Sequence, residues 1–185
     1  RFWLGGDNTA LNLARRIGGS KDVFGDKRDT TQSINFITAH DGFTLRDLCS
    51  YTQKHNERNG EQNRDGSNDN LSLNFGVEGD TDNPAILKKR IQHAKNLLAT
   101  LFISRGTPML LGGDEIWRTQ KGNNNGFCQD NDISWINWSA SPQSNEMMRF
   151  TAMLIAMRKR YKALRQTAFA DPEKNRITLD NMRFH

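Results

Sequence analysis

Cysteine is scarce in this chain: 185 residues contain two, Cys49 and Cys128. Two cysteines make no disulfide framework. Neither sits in a Cys-x-x-Cys pair or beside histidines at metal-ligand spacing, so no metal site is expected. That usage favours a reducing compartment, and a cytoplasmic protein is expected. No run of about 18 apolar residues occurs, nor an amino-terminal charged-then-apolar segment, so neither a helical membrane span nor a signal peptide is expected. The first residue is Arg1, and a targeting segment upstream of it would be invisible.

Apolar mass is also modest. Apolar residues make up 35%, and the 15 glycines bring the total slightly under the ~45–50% usual for a globular domain. A piece cut from a larger core would have that balance. The formal charge of +5 raises the question of nucleic acid. Its densest runs, Lys88-Lys89-Arg90 and Arg158-Lys159-Arg160, fall on predicted amphipathic helices. With no interleaved stacking aromatics and no nucleic-acid motif, they read as solvated helix faces, and no nucleic-acid partner is expected.

What is present is concentrated in a few stretches. Ile34-Asn35-Phe36-Ile37-Thr38-Ala39-His40-Asp41 reads as a buried strand running into an adjacent His-Asp pair and then Gly42. Strands of this kind occur in parallel sheets, where function gathers at the carboxyl edge. An imidazole and a carboxylate there can hold hydroxyls and stabilise developing positive charge, as sugar chemistry requires. The alternative is structural: Asp41 caps the turn at Gly42 and His40 is a satisfied core histidine.

Helical spacing of Ala10, Leu13, Ala14 and Ile17, stopped by Gly18-Gly19, predicts a short helix before the 34–40 strand. From about Tyr51 to Pro84 the chain is crowded with Asn, Asp, Gly and Glu, and reads as a loose insertion or as a functional lid or binding loop. Asn83-Pro84 then caps a helix whose stripe is Leu87, Ile91, Ala94, Leu98 and Leu101, with His93 off the stripe and expected at the surface. A second strand is predicted over 107–111, re-aimed by Gly112-Gly113 into Asp114-Glu115. Adjacent carboxylates on an extended chain point to opposite sides, so they are not an acid and nucleophile facing one bond.

A second long loop, 117–140, carries Trp117, Phe127, Trp135 and Trp138 amid Asn123, Asn124, Asn125, Gln129, Asp130 and Asn131. Carboxamides, carboxylates and aromatic faces are the parts of a carbohydrate site. Trp135 and Trp138 are expected to anchor the core, and Phe127 is the stacking candidate. Ser141-Pro142 opens a last helix, predicted over 142–165, with Phe150, Met153, Leu154, Met157, Tyr161 and Leu164 on one face and its methionines as core fillers. Beyond Gln166 the pattern fades, though Arg176-Ile177-Thr178-Leu179 can begin a strand.

The His-Asp stretch continues through Gly42-Phe43-Thr44-Leu45-Arg46-Asp47-Leu48, and three further blocks accompany it: His55 to Gly66, Gly106-Thr107-Pro108-Met109-Leu110-Leu111-Gly112-Gly113-Asp114-Glu115, and Gly122-Asn123-Asn124-Asn125 with Cys128-Gln129-Asp130-Asn131. In order and spacing these resemble the isoamylase and bacterial glycogen debranching enzymes of the α-amylase superfamily, over roughly residues 1–165. The resemblance implies an α/β fold, a partial (βα)8 TIM-type barrel made of about its last two βα units, with long loops at the strands' carboxyl ends. A complete barrel needs about 250 residues, more than this chain has. Residues 1–165 would be the carboxyl-terminal portion of the catalytic barrel and 166–185 the start of a truncated β-domain.

The resemblance also implies a function. The parent would hydrolyse α-1,6-glucosidic branch linkages of glycogen or limit dextrin with retention, without a cofactor. Asp41 would be the transition-state stabiliser; His40, Phe43, Asp114, Asn123, Asn124, Asn125 and Phe127 would be substrate-binding, with Asp114 and Glu115 organising the site. The Arg-x-Asp block that carries the nucleophile in that family, and the block that carries the Glu acid, have no match here. The expected partners are therefore an α-glucan and the rest of the barrel, and the chain alone is expected to be inactive. A non-catalytic carbohydrate-binding or assembly module is the alternative.

Overall fold

The computed structural model describes residues 1–25 and 29–169. In chain order the helices are α1 (Ala10–Ile17), α2 (Lys21–Phe24), α3 (Leu45–Leu48), α4 (Pro84–Ile103) and α5 (Pro142–Arg160), and the strands are β1 (Ile34–Asn35) and β2 (Thr107–Pro108). The strands pair in parallel with Ile34 opposite Thr107 and Asn35 opposite Pro108. Thr107 N–H donates to Ser33 O at 2.7 Å and Met109 N–H to Asn35 O at 2.8 Å. Each strand is thus followed by a long loop and then a long helix, the order predicted for two βα units.

The two long helices form where their ends are satisfied. Asn83 accepts from the backbone of Ala85 at 3.0 Å and Ile86 at 3.4 Å, and Pro84 occupies the first turn, where its missing N–H costs nothing. Ser141 and Ser144 exchange side-chain-to-backbone bonds of 2.7 and 3.0 Å at the start of α5. The helices pack on each other, burying Ile91, Ala94, Leu98, Leu101 and Phe102 against Met147 and Leu154, with Leu45, Cys49 and Trp117 closing the core.

Several expectations need correction. The predicted strands 34–40 and 107–111 pair over only two residues each. Each has a single neighbour among the described residues, so no second ladder holds Phe36 to His40 in register, and Ile34 and Phe36 are exposed rather than buried. The last helix stops at Arg160 instead of 165 because Arg165 folds back to donate to the Arg158 and Lys159 carbonyls, and residues 162–165 form a 3-10 turn. Trp135 and Trp138 are exposed, as are Met153 and Tyr161, while Met147 fills the core. His93 is buried, its ring 5.6 Å from that of Phe75, because the 72–80 part of the loop packs over that side of α4.

Both basic runs also hide one arginine. Arg90 is 2% exposed and donates to the carbonyls of Gly79 at 2.6 Å, Asn74 at 2.9 Å and Val77. Arg158 donates to Phe102 O at 2.7 Å, Ser104 O at 2.8 Å and Gly106 O, collecting carbonyls at the carboxyl end of α4. The solvated-face reading holds for Lys88, Lys89, Lys159 and Arg160 alone. The strand predicted at 176–179, and most of the proposed tail domain, lie outside the described residues.

Candidate functional site

The turn after β1 is held from beneath. Asp114 is buried; one carboxylate oxygen accepts from Thr38 Oγ1 and the other from Leu45 N–H at 2.9 Å. It thereby joins the end of the His-Asp segment to the start of α3. Burial pushes its carboxyl up to about 6, against the pull of these two donors. Asp114 and Glu115 sit on a 3-10 turn, and Glu115 bonds back to Gly113 N–H at 2.9 Å. Asp114, predicted to bind substrate, is therefore a buried bridge between these two segments and does not contact solvent.

His40 and Asp41 are at the surface, Nε2 of the imidazole 3.4 Å from Oδ2 of the carboxylate. The core-histidine alternative for His40 is excluded by this exposure. Asp41 lines a cleft of about 530 Å³ with Phe43, Asn124 and Asn125; Ser67, Asp69 and Asn70 form part of its wall. The size is that of a small-molecule site. Phe43 contributes only an edge, being 3% exposed with its ring 6.2 Å from that of Tyr51. His40 and Phe127 are not among the cleft residues, and Phe127 projects into solvent.

The asparagines predicted to grip hydroxyls mostly grip each other. Asn123 donates to Asn59 Oδ1 at 2.8 Å and accepts from Asn125 N–H at 2.9 Å. Asn124 accepts from Asn56 Nδ2 at 2.9 Å and donates to Ser67 O and Asn70 Oδ1 at 2.8 and 2.7 Å. Asn125 donates to Asp65 at 2.9 Å. These bonds weld the 51–83 and 117–140 loops into one wall, and the carbonyl of Asn124 accepts Gly42 N–H at 2.8 Å, fixing the wall beside Asp41.

The 51–83 loop is an organised structure. Lys54 is buried and caps the carbonyls of Arg64, Asp65 and Gly66 at 2.7–3.2 Å. Glu78 accepts from the backbone of Thr52 and Gln53 and from the Asn74 and Thr52 side chains; partial burial works to raise its carboxyl, but these bonds outweigh it and bring it down to about 2. Gly122, at φ 78°, passes so close to Tyr51 and His55 that a Cβ there would lie 2.7–2.8 Å from their rings. Asn56, Asn59 and Asp65 carry this architecture and are not singled out by the sequence, although all three lie in the His55 to Gly66 block. Nothing local distinguished a carboxamide that bonds the chain from one that bonds a ligand.

A larger cleft, about 560 Å³, lies between Ile116–Lys121 and Trp135–Ser144. Neither His40 nor Asp41 lines it. The Asp41 cleft is the candidate site because the exposed carboxylate and the carboxamide wall converge there. Among the described residues no group of three or more His, Cys, Asp or Glu is arranged to hold a metal ion, and no helix is long and apolar enough to cross a membrane.

No protein-family profile matches the chain. Over 173 residues it is 48% identical to the glycogen operon protein GlgX homolog of Mycobacterium tuberculosis, covering 93% of this chain and 24% of that protein. Over 165 residues it is 50% identical to the glycogen debranching enzyme of Serratia proteamaculans, covering 89% and 25%. The chain thus spans about a quarter of the length of these relatives. Among solved structures, a pullulanase from Bacillus acidopullulyticus superposes with a TM-score of 0.67 at 24% identity, over 90% of this chain and 17% of that one. A pullulanase from Anoxybacillus sp. LM18-11 complexed with maltotetraose gives 0.63 at 24% identity, over 90% and 20%. At that identity the superposition speaks for the fold alone.

Proposed function

We propose that this chain, a homologue of the bacterial glycogen debranching enzymes that corresponds to about a quarter of their length, forms one side of the active site of a cytoplasmic debranching glycoside hydrolase. The substrate is the α-1,6 branch of glycogen or limit dextrin, cleaved with retention of configuration. β1 with α4 and β2 with α5 serve as the seventh and eighth units of an eight-fold βα barrel, with both long loops on the rim where such barrels build their sites. The observation that carries this reading is Asp41 itself, exposed on a cleft wall and held there through Gly42 and Asn124.

In a retaining mechanism an oxocarbenium-like carbon develops between a nucleophilic carboxylate and a carboxylic acid that protonates the leaving oxygen. This sequence supplies neither of that pair, and both come from other parts of the parent enzyme. Asp41 works beside them as an anion facing the developing charge, and His40 donates to a hydroxyl of the same sugar. Asn124 and Asn125 hold the wall that shapes the cleft, and Phe127 offers an exposed ring to a neighbouring glucose unit.

The test is an Asp41→Asn change in the longer polypeptide that carries these residues, with reducing ends released from glycogen and pullulan as the readout. Removing the charge spares shape and ground-state contacts, so kcat should fall by orders of magnitude and limit-dextrin binding should stay within roughly tenfold. An unchanged kcat with only KM raised would make Asp41 a binding or capping residue. Binding of glucan with no hydrolysis by the unaltered polypeptide would favour a carbohydrate-binding module.

A further inference from the structure

Asp47 is a fully buried carboxylate, six residues beyond Asp41, whose hydrogen-bond partners among the described residues are a hydroxyl and backbone N–H groups. It leaves α3 toward the other long loop. One oxygen accepts from Thr119 Oγ1, and the other from the backbone N–H of Gln120 at 2.7 Å and of Gly122 at 3.4 Å. The cap of the same helix reaches the same segment, since Thr44 Oγ1 donates to Arg118 O at 2.9 Å. Segment 118–122 is therefore gripped at four points by the turn that follows Asp41. The chain then runs through a turn closed by Gln120 Nε2 to Asn123 O at 2.9 Å, and the Asn124 carbonyl returns to Gly42 N–H.

We infer that Asp47 is the positioning residue that sets the place of the Asn123–Asn125 wall relative to Asp41. The loop of contacts is closed: Asp41-Gly42 leads through α3 to Asp47, across to Gln120 and Gly122, and back through Asn124 to Gly42. Gly122 O also accepts His55 N–H at 2.7 Å, so the same tether sets the adjoining end of the 51–83 loop. A carboxylate suits the task because all three partners can donate and it accepts only. Asparagine can imitate it: its oxygen can take both backbone N–H groups and its amide can donate to the Thr119 hydroxyl. Alanine cannot, and it leaves two buried N–H groups without partners.

The catalytic consequence rests on the debranching reading, but the tether does not, and the two are measured separately in the longer polypeptide. Amide hydrogen exchange at Gly42, which Asp47 does not touch, reads the tether. Asp47→Ala should accelerate it on the order of ten- to hundredfold, with Ala94, Leu98 and Leu154 in the α4–α5 core unchanged, and Asp47→Asn should stay within about threefold. An unmoved Gly42 amide in Asp47→Ala, or core amides rising by the same factor, overturns the inference. If Asp47→Ala does not fold, Thr119→Val removes one donor, and Gly42 exchange that does not rise severalfold is equally refuting. On glycogen, at a temperature where the variant is folded, kcat/KM should fall about a hundredfold with kcat sharing the loss, the cost of a misplacement of about 1 Å, and asparagine should restore it to within roughly tenfold. A moved Gly42 amide with unchanged kcat/KM overturns the positioning role. An inactive unaltered polypeptide would refute the debranching reading and leave the exchange result to decide the tether.

Discussion

Replacing Arg90 by methionine should loosen the 72–80 part of the long loop without unfolding α4. The change keeps an unbranched stem and deletes a guanidinium that donates to three loop carbonyls. Hydrogen bonds to a charged group contribute about 1.5–3 kcal/mol each, so three set a ceiling near ~5–9 kcal/mol. Two effects reduce it: the orphaned carbonyls can rehydrate as the loop lifts, and the buried Nε, which has no hydrogen-bond partner among the described residues, is lost along with the group. A net loss of ~3 kcal/mol corresponds to about a hundredfold rise in local opening. The reporters are the amides of Leu73 and Gly79, which bond Leu48 O at 3.0 Å and Ser50 O at 2.9 Å. Hydrogen exchange at both should accelerate about a hundredfold, while Lys88→Met and Lys89→Met on the exposed face leave them unchanged. Acceleration of less than about threefold in the Arg90 variant would mean that the loop is held by its own internal bonds, and the reasoning would fail.

The pH dependence of stability has a definite sign. Asp47 and Asp114 each rise to about 6 in the fold from an ordinary 3.8, so the native state takes up protons before the unfolded chain does. Unfolding free energy should therefore increase as pH falls from 7 toward 4.5, by on the order of 2 kcal/mol per group, and that gain is lost as pH rises through 6. Below about 4.5 Glu78, brought down to about 2, opposes the trend. Urea midpoints at pH 7 and pH 5 check this, and Asp47→Asn should flatten the difference. The isolated 185-residue chain should self-associate, because Ile34 is exposed on a two-strand sheet and Phe36 and Met109 directly beyond its ends; a concentration-independent monomer in sedimentation would contradict this. The same isolated chain should release no reducing ends from glycogen or pullulan, and turnover abolished by a substitution within it would show that its own residues suffice.

The sequence by itself determined the two long helices and the polar character of the two long loops. Pattern and caps placed both long helices because Asn83-Pro84 and Ser141-Pro142 act on the residues directly after them, and periodicity put Ile91, Ala94, Leu98, Leu101 and Leu154 in the core. The His-Asp pair was legible because strand, polar pair and glycine turn are contiguous. The tertiary structure decided which polar groups face outward. Whether Asn124 meets a sugar or Asn56, whether Arg90 meets water or three carbonyls, and whether Asp47 is a surface charge or a buried tether depend on segments about 10 to 75 residues away. A hydrogen bond is short-ranged and directional, so its partner is chosen by loop geometry that no local pattern encodes. Exposure of Trp135, Trp138 and Ile34 follows the same logic in reverse: apolar surface predicts burial only when another element lies within reach to cover it.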